Sequence, residues 1–169
     1  MPDPKPVTNE EPNAARLADL MMRLGWRLAV AESCTGGWLA KVVTDLAGSS
    51  IWFDRGFVTY SNEAKQEMLG VHRETLLTHG AVSEAVVAEM AAGALARSRA
   101  QVAVAISGIA GPGGGSPDKP VGTVCIAWAW PEDQLSTRRL QLDGNRDRVR
   151  RQSVQAAIEG MTERLHDLG

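Results

Sequence analysis

Three stretches of the chain combine residue types that can attack or hold a carbonyl compound. In Ala31-Glu32-Ser33-Cys34-Thr35-Gly36-Gly37, a serine joins a short apolar run to a segment with helical spacing. The first N–H groups of a helix lack intrahelical acceptors, and the helix dipole favours negative charge there. Ser33 at such a junction can attack a carbonyl carbon while N–H groups around Thr35, Gly36 and Gly37 hold the oxyanion. One such donor is worth roughly 3–4 kcal/mol of barrier. The glycines would let a ligand approach the backbone closely. Two other readings fit the same residues: a plain helix N-cap at Ser33 or Thr35, or a phosphate site at the helix end. Cys34 is a rival nucleophile, but a thiol usually recruits a histidine. His72, His79 and His166 fall in surface-like helical or turn contexts, so the thiol is not expected to act.

A serine nucleophile needs a base. Without a histidine, the candidates are a neutral lysine or a tyrosine. Tyr60-Ser61-Asn62-Glu63-Ala64-Lys65 ends a strand-like run and opens a helix. Lys65 serves if burial lowers its pKa toward neutrality, and Tyr60 could relay the proton or orient the serine. A solvated lysine and a core tyrosine with a wet hydroxyl fit the pattern as well. The third stretch, Ser107-Gly108-Ile109-Ala110-Gly111-Pro112-Gly113-Gly114-Gly115, follows an apolar strand, as ligand loops in α/β folds often do. It is neither a P-loop nor a dinucleotide fingerprint, and reads equally as a binding loop or a connector.

Helical and strand patterns interleave around these stretches. Helices are predicted over 13–24, 36–46, 62–69, 73–79, 83–98 and 146–168, and strands over 27–31, 52–60, 101–106, 121–130 and 136–142. The turn at Pro131-Glu132-Asp133 pairs the last two strands antiparallel. The pattern predicts a single three-layer α/β/α domain with a mixed central sheet over 13–169, preceded by a loose arm at 1–12. At about 100° per residue, Val154, Ala157, Ile158, Met161, Leu165 and Leu168 form one stripe of the last helix. Arg150 lies near the centre of that stripe and Arg146 at its margin. An inward arginine in the first turns opposes the dipole and calls for an anion, either Asp143, Asp147 or another carboxylate, or a substrate phosphate.

Composition sets the remaining bounds. The 169 residues suit one core, with 44% hydrophobic and 22% charged residues. A net charge of -2 argues against a nucleic-acid partner. No run of about 18 apolar residues suggests a membrane span, and the first residues lack a signal-peptide pattern. The isolated Cys34 and Cys125 suit the cytoplasm. No metal-ligand spacing stands out. Trp26, Trp38 and Trp52 are read as exposed, which suggests a homo-oligomer, most simply a dimer.

The motifs Ala31–Gly37, Tyr60–Lys65, Gly108-Ile109-Ala110-Gly111-Pro112 with Lys119-Pro120-Val121-Gly122-Thr123-Val124, and Gly144-Asn145-Arg146 occur in order. Together they resemble the CinA C-terminal domain family over residues 13–168, in its stand-alone amidase form. The family often carries Asp where Asn145 stands. The resemblance implies hydrolysis of nicotinamide mononucleotide to nicotinate mononucleotide and ammonia without a metal or other cofactor. It implies a nucleophile at Ser33 with Tyr60 and Lys65 as its catalytic partners. Substrate would be held by Glu32, Thr35, Gly36, Gly37, Asn62, Ser107, Gly108, Gly111 and Arg146. A nucleotide-binding or interaction module without turnover, and an amidase for another nucleotide-linked amide, remain the alternatives. Functions tied to the further domain of longer family members are not carried over.

Overall fold

The computed structural model describes residues 11–168, so most of the expected arm lies outside the described residues. The chain forms α1 (Ala15–Leu24), β1 (Leu28–Glu32), α2 (Trp38–Thr44), β2 (Phe53–Val58), α3 (Asn62–Leu69) and α4 (Arg73–His79). It continues through α5 (Glu84–Ala96), β3 (Val102–Gly108), β4 (Thr123–Trp130), β5 (Gln134–Gln141) and α6 (Arg146–Leu168). The sheet order is β2-β1-β3-β4-β5. β1 runs parallel to β2 and β3, while β4 and β5 complete the sheet antiparallel. The sheet is therefore mixed, and the fold is the expected α/β class. Glu132 and Asp133 turn the β4–β5 hairpin with φ of 64° and 57°, the left-handed region.

The two faces of the sheet differ in side-chain size, because strand residues alternate between faces. Leu28, Val30, Val102, Val104, Ile106, Ile126, Trp128 and Trp130 point to one side, where α1, α2 and α6 cover them. Ala29, Ala31, Ala103, Ala105, Cys125, Ala127 and Ala129 point to the other, under α5 with α3 and α4 alongside. A face of alanines admits a helix close to the strands, and α5 is itself built of small residues, Glu84-Ala85-Val86-Val87-Ala88-Glu89-Met90-Ala91-Ala92-Gly93-Ala94. Its N-cap is the expected Ser83, whose side chain accepts from the Val86 N–H.

None of the three tryptophans is exposed as the sequence suggests, and Trp52 departs furthest. Trp52 is 1% exposed and belongs to the core beneath α2, while Trp26 and Trp38 are partly buried against that core. The run before β2 lacks the periodicity that would reveal this, because a short 3-10 turn, Ser49–Ile51, redirects Trp52 inward.

The parallel strands place the site. From β1 the chain passes through α2 to β2 on one flank, then through α3, α4 and α5 to β3 on the other. The carboxyl ends of β1 and β3 thus border a topological switch point, where α/β sheets open a crevice for ligands. Ser33 follows the last residue of β1, and Ser107 and Gly108 close β3.

Gly93 lets α5 meet the end of α3, because a Cβ there would lie 2.0 Å from the Leu69 carbonyl oxygen. Gly93→Ala is expected to destabilise the fold by about 1–3 kcal/mol through overpacking. A urea midpoint equal to that of the wild type would contradict this packing.

Candidate active site

Ser33 is held by its neighbours on both sides of β1. Its N–H donates to the Ile106 carbonyl at 3.0 Å, while the Thr59 N–H donates to the Glu32 carbonyl at 2.8 Å. After Ser33 the chain makes a turn rather than a helix. Gly36 N–H donates to the Ser33 carbonyl at 3.1 Å and Trp38 N–H to the Thr35 carbonyl at 3.0 Å. This turn needs φ of 58° at Gly36 and 103° at Gly37, which glycine adopts without strain. The helix therefore starts at Trp38, two residues beyond the boundary read from the sequence.

Glu32 and Thr35, grouped by the sequence with the substrate-binding residues, face the interior instead. The Glu32 carboxylate is 1% exposed and accepts from Thr35 Oγ1 at 2.7 Å, Leu39 N–H at 2.8 Å and Ala40 N–H at 3.1 Å. A carboxylate from the preceding strand thus caps α2. The expected oxyanion donors narrow accordingly. Gly36 N–H is committed to the turn, whereas the N–H groups of Thr35 and Gly37 have no protein acceptor among the described residues.

Lys65 comes from the second turn of α3, whose start is fixed by the Ser61 side chain accepting from Ala64 N–H at 3.0 Å. Its side chain is 1% exposed, not solvated. Nζ lies 2.9 Å from Ser33 Oγ and donates to the Thr59 and Tyr60 carbonyls at 2.9 and 3.3 Å. Burial pushes the Lys65 pKa below its ordinary 10.5, against a smaller upward pull from Cys34. Among the described residues no carboxylate is paired with it to stabilise an ammonium, and its contacts suit an amine.

The two residues open on a cavity of about 210 Å³ lined by Ser33, Cys34, Tyr60, Asn62, Lys65, Ala81, Val82, Ser107, Gly108, Ala110 and Arg146. Seven of the expected site residues converge there, drawn from β1, the β2–α3 junction, β3 and α6. Ser107 offers a hydroxyl without a protein partner among the described residues. Gly108 must lack a side chain, since a Cβ would meet Val124 at 2.7 Å.

Tyr60 is 64% exposed at the rim. Its hydroxyl accepts from Arg146 Nη2 at 3.4 Å, and what reaches Lys65 is its carbonyl rather than its phenol. Gly111 stands behind the lining and accepts from Arg146 Nη1 at 2.8 Å. Gly36 and Gly37 likewise lie outside the cavity wall. Ala81 and Val82, unmarked in the sequence, supply its apolar side; no residue-type signal in that loop announces them.

Two further expectations are resolved by geometry. Arg150 points inward as its stripe position predicts, but it meets no anion: it donates to the carbonyls of Cys34 and Thr35 at 3.0 and 3.3 Å and lies over Trp38. Asp147 instead pairs with Arg151. Cys34 reaches the cavity, yet burial pushes its thiol from 9.0 up to about 11, outweighing the downward influence of its own backbone and of Arg150. No histidine lines the cavity. Among the described residues, no group of three His, Cys, Asp or Glu side chains is arranged to hold a metal ion.

The fold and cavity define an α/β protein with a serine–lysine pair at its topological switch point. The chain belongs to the CinA family: the model of the CinA C-terminal domain matches residues 10–165. It is 62% identical over 135 residues to the nicotinamide-nucleotide amidohydrolase PncC of Escherichia coli (strain K12), covering 80% of this chain and 82% of that protein. The protein of that name from Pseudomonas putida is 51% identical over 148 residues, covering 88% and 92%. Among solved structures, the competence damage-inducible protein A (ComA) of Klebsiella pneumoniae superposes with a TM-score of 0.88 at 42% identity, covering 92% of this chain and 96% of that one.

A buried thiol with a raised pKa is a poor nucleophile. Iodoacetamide at neutral pH should label Cys34 at least about 10-fold more slowly than an exposed cysteine in a short peptide. Labelling at the peptide's rate, followed by mass spectrometry, would overturn the assignment of Cys34 as an inert wall.

Proposed function

We propose that the chain is a nicotinamide-nucleotide amidohydrolase that converts nicotinamide mononucleotide to nicotinate mononucleotide and ammonia, with Ser33 as nucleophile and Lys65 as base. The observation that carries the mechanism is the 2.9 Å approach of the buried Lys65 Nζ to Ser33 Oγ. A neutral amine has two N–H groups and one lone pair. The Thr59 and Tyr60 carbonyls can accept the two N–H groups, leaving the lone pair for the Ser33 hydroxyl proton.

As Ser33 Oγ bonds to the carboxamide carbon, its proton passes to Lys65. The tetrahedral oxyanion is held by the unpaired Thr35 N–H of the turn. Lys65 returns the proton to the amide nitrogen, the C–N bond breaks and ammonia leaves. A water then loses a proton to Lys65 and attacks the ester, and Ser33 departs reprotonated. No cofactor enters this sequence. Tyr60 serves at the rim through its carbonyl on Lys65 and its hydroxyl on Arg146.

The cavity of about 210 Å³ is smaller than the ~300 Å³ usual for a whole small-molecule site. It suits the carboxamide-bearing ring, with Asn62, Ser107 and Gly108 around it, while ribose and phosphate extend over the rim to Arg146. That distant anchor holds the amide in attack geometry.

The free thiols of Cys34 and Cys125 favour the cytoplasm, and no helix among the described residues is long and apolar enough to cross a membrane. Exposed Ile51, just before the edge strand β2, and Val58, its last residue, at 61% and 47%, favour a homodimer. A light-scattering mass of 18.1 kDa at working concentration would remove that assembly.

Ammonia release from nicotinamide mononucleotide tests the reading. Ser33→Ala and Lys65→Met should each lower kcat by about 1,000-fold or more. Release near the wild-type rate in either variant ends the mechanism, and binding without release by the wild type would favour a silent module. Because Lys65 must be unprotonated and its pKa is lowered, activity should fall as pH drops through a limb lying below 10.5. A limb at or above that value removes Lys65 as base. Arg146→Ala should raise KM about 10- to 100-fold, the worth of one charge-assisted contact, and free nicotinamide should be a poor substrate. An unchanged KM would contradict the phosphate anchor.

A further inference from the structure

The Ser33 turn is gripped from behind, outside the cavity, by a residue of α6. Arg150 Nε donates to the Cys34 carbonyl at 3.0 Å and its Nη2 to the Thr35 carbonyl at 3.3 Å. The guanidinium lies 5.5 Å from the centroid of the Trp38 ring, the first residue of α2. A Cβ on Gly36 would find Arg150 Nη2 as its neighbour at 3.5 Å, so the group also covers the outer side of the turn. Arg150 does not line the cavity.

The geometry of the peptide unit gives this grip a chemical consequence. The Cys34–Thr35 bond is trans, since among the described residues only Gly111–Pro112 is cis. In a trans peptide the C=O and N–H point in opposite directions within one rigid plane. A Cys34 carbonyl drawn toward α6 therefore aims the Thr35 N–H the other way. That N–H is one of the turn's donors without a protein acceptor among the described residues. A cation on the carbonyl also polarises the amide, which makes its N–H a stronger donor. The Thr35 carbonyl takes the second arm of the fork, and its own peptide partner, Gly36 N–H, closes onto the Ser33 carbonyl.

We propose that Arg150 is a positioning residue for amide hydrolysis, orienting and polarising the Cys34–Thr35 peptide so that the Thr35 N–H receives the oxyanion. The inference rests on the serine-nucleophile reading. It assigns Arg150 a role distinct from that of Arg146, whose contact would be with the distant phosphate in ground and transition states alike. Loss of Arg150 acts where charge develops, so it belongs in kcat. Lysine can replace it only in part, because an ammonium lacks the planar fork that spans two carbonyls while lying on an indole.

The test is steady-state ammonia release from nicotinamide mononucleotide by wild type, Arg150→Ala, Arg150→Lys and Ser33→Ala, with thermal melting of each. Arg150→Ala should lose about 10- to 100-fold in kcat with KM nearly unchanged, and Arg150→Lys should recover only part. Millimolar methylguanidinium should restore activity to Arg150→Ala but not to Ser33→Ala. Should Arg150→Ala fail to fold, Arg150→Lys still reads the split between kcat and KM. Wild-type kcat in a folded Arg150 variant beside an inactive Ser33→Ala overturns this inference alone, as does a loss confined to KM. Wild-type turnover by Ser33→Ala instead removes the serine reading beneath it.

Discussion

The structure is organised around an amine withdrawn from water and set against a hydroxyl. An ammonium in that position would lose its hydration without gaining a carboxylate, so burial lowers the Lys65 pKa. The same burial supplies two carbonyl acceptors, from Thr59 and Tyr60, and directs the amine at Ser33. Because those carbonyls belong to the residues just after β2, the partner strand fixes Lys65 as firmly as α3 does. A displacement of either element lengthens the Ser33–Lys65 contact.

Around this pair, the Ser33 turn is built by satisfying polar groups in every direction. Strand β3 takes the Ser33 N–H, Glu32 takes the opening N–H groups of α2, and Arg150 takes two carbonyls of the turn. The N–H groups of Thr35 and Gly37 are left without a protein acceptor among the described residues. A buried carboxylate beside Ser33 would be an electrostatic liability if it were idle. With three donors on it, Glu32 has its charge dispersed into the helix start and the Thr35 hydroxyl.

Much of this was legible in the sequence, and unevenly so. The element order followed from periodicity, and α3, α4 and α6 have the predicted bounds, because their caps and apolar stripes are local signals. The convergence of Ser33, Tyr60, Asn62, Lys65, Ser107, Gly108 and Arg146 was accessible only through motif order, since they come from the end of β1, the β2–α3 junction and α3, the end of β3, and α6. The inward turn of Glu32 and Thr35 was not legible: a carboxylate beside a nucleophile looks alike in sequence whether it meets ligand or caps a helix. Arg150 misled for a related reason, as stripe position reports direction but cannot distinguish a carboxylate partner from backbone carbonyls. Trp52 and the Ala81–Val82 wall depended on a 3-10 turn and a loop path, which carry no period.

The alanine-lined underside of the sheet has a bearing on how the pocket could be reshaped. Helix α5 rests on Ala29, Ala31, Ala103, Ala105, Ala127 and Ala129, and the loop leading into it carries Ala81 and Val82 to the cavity. The spacing between that loop and the β3 end is thus governed by methyl groups that no ligand touches. The width of the cavity is in part a property of the floor, and laboratory evolution toward a roomier pocket has a lever there, remote from Ser33 and Lys65.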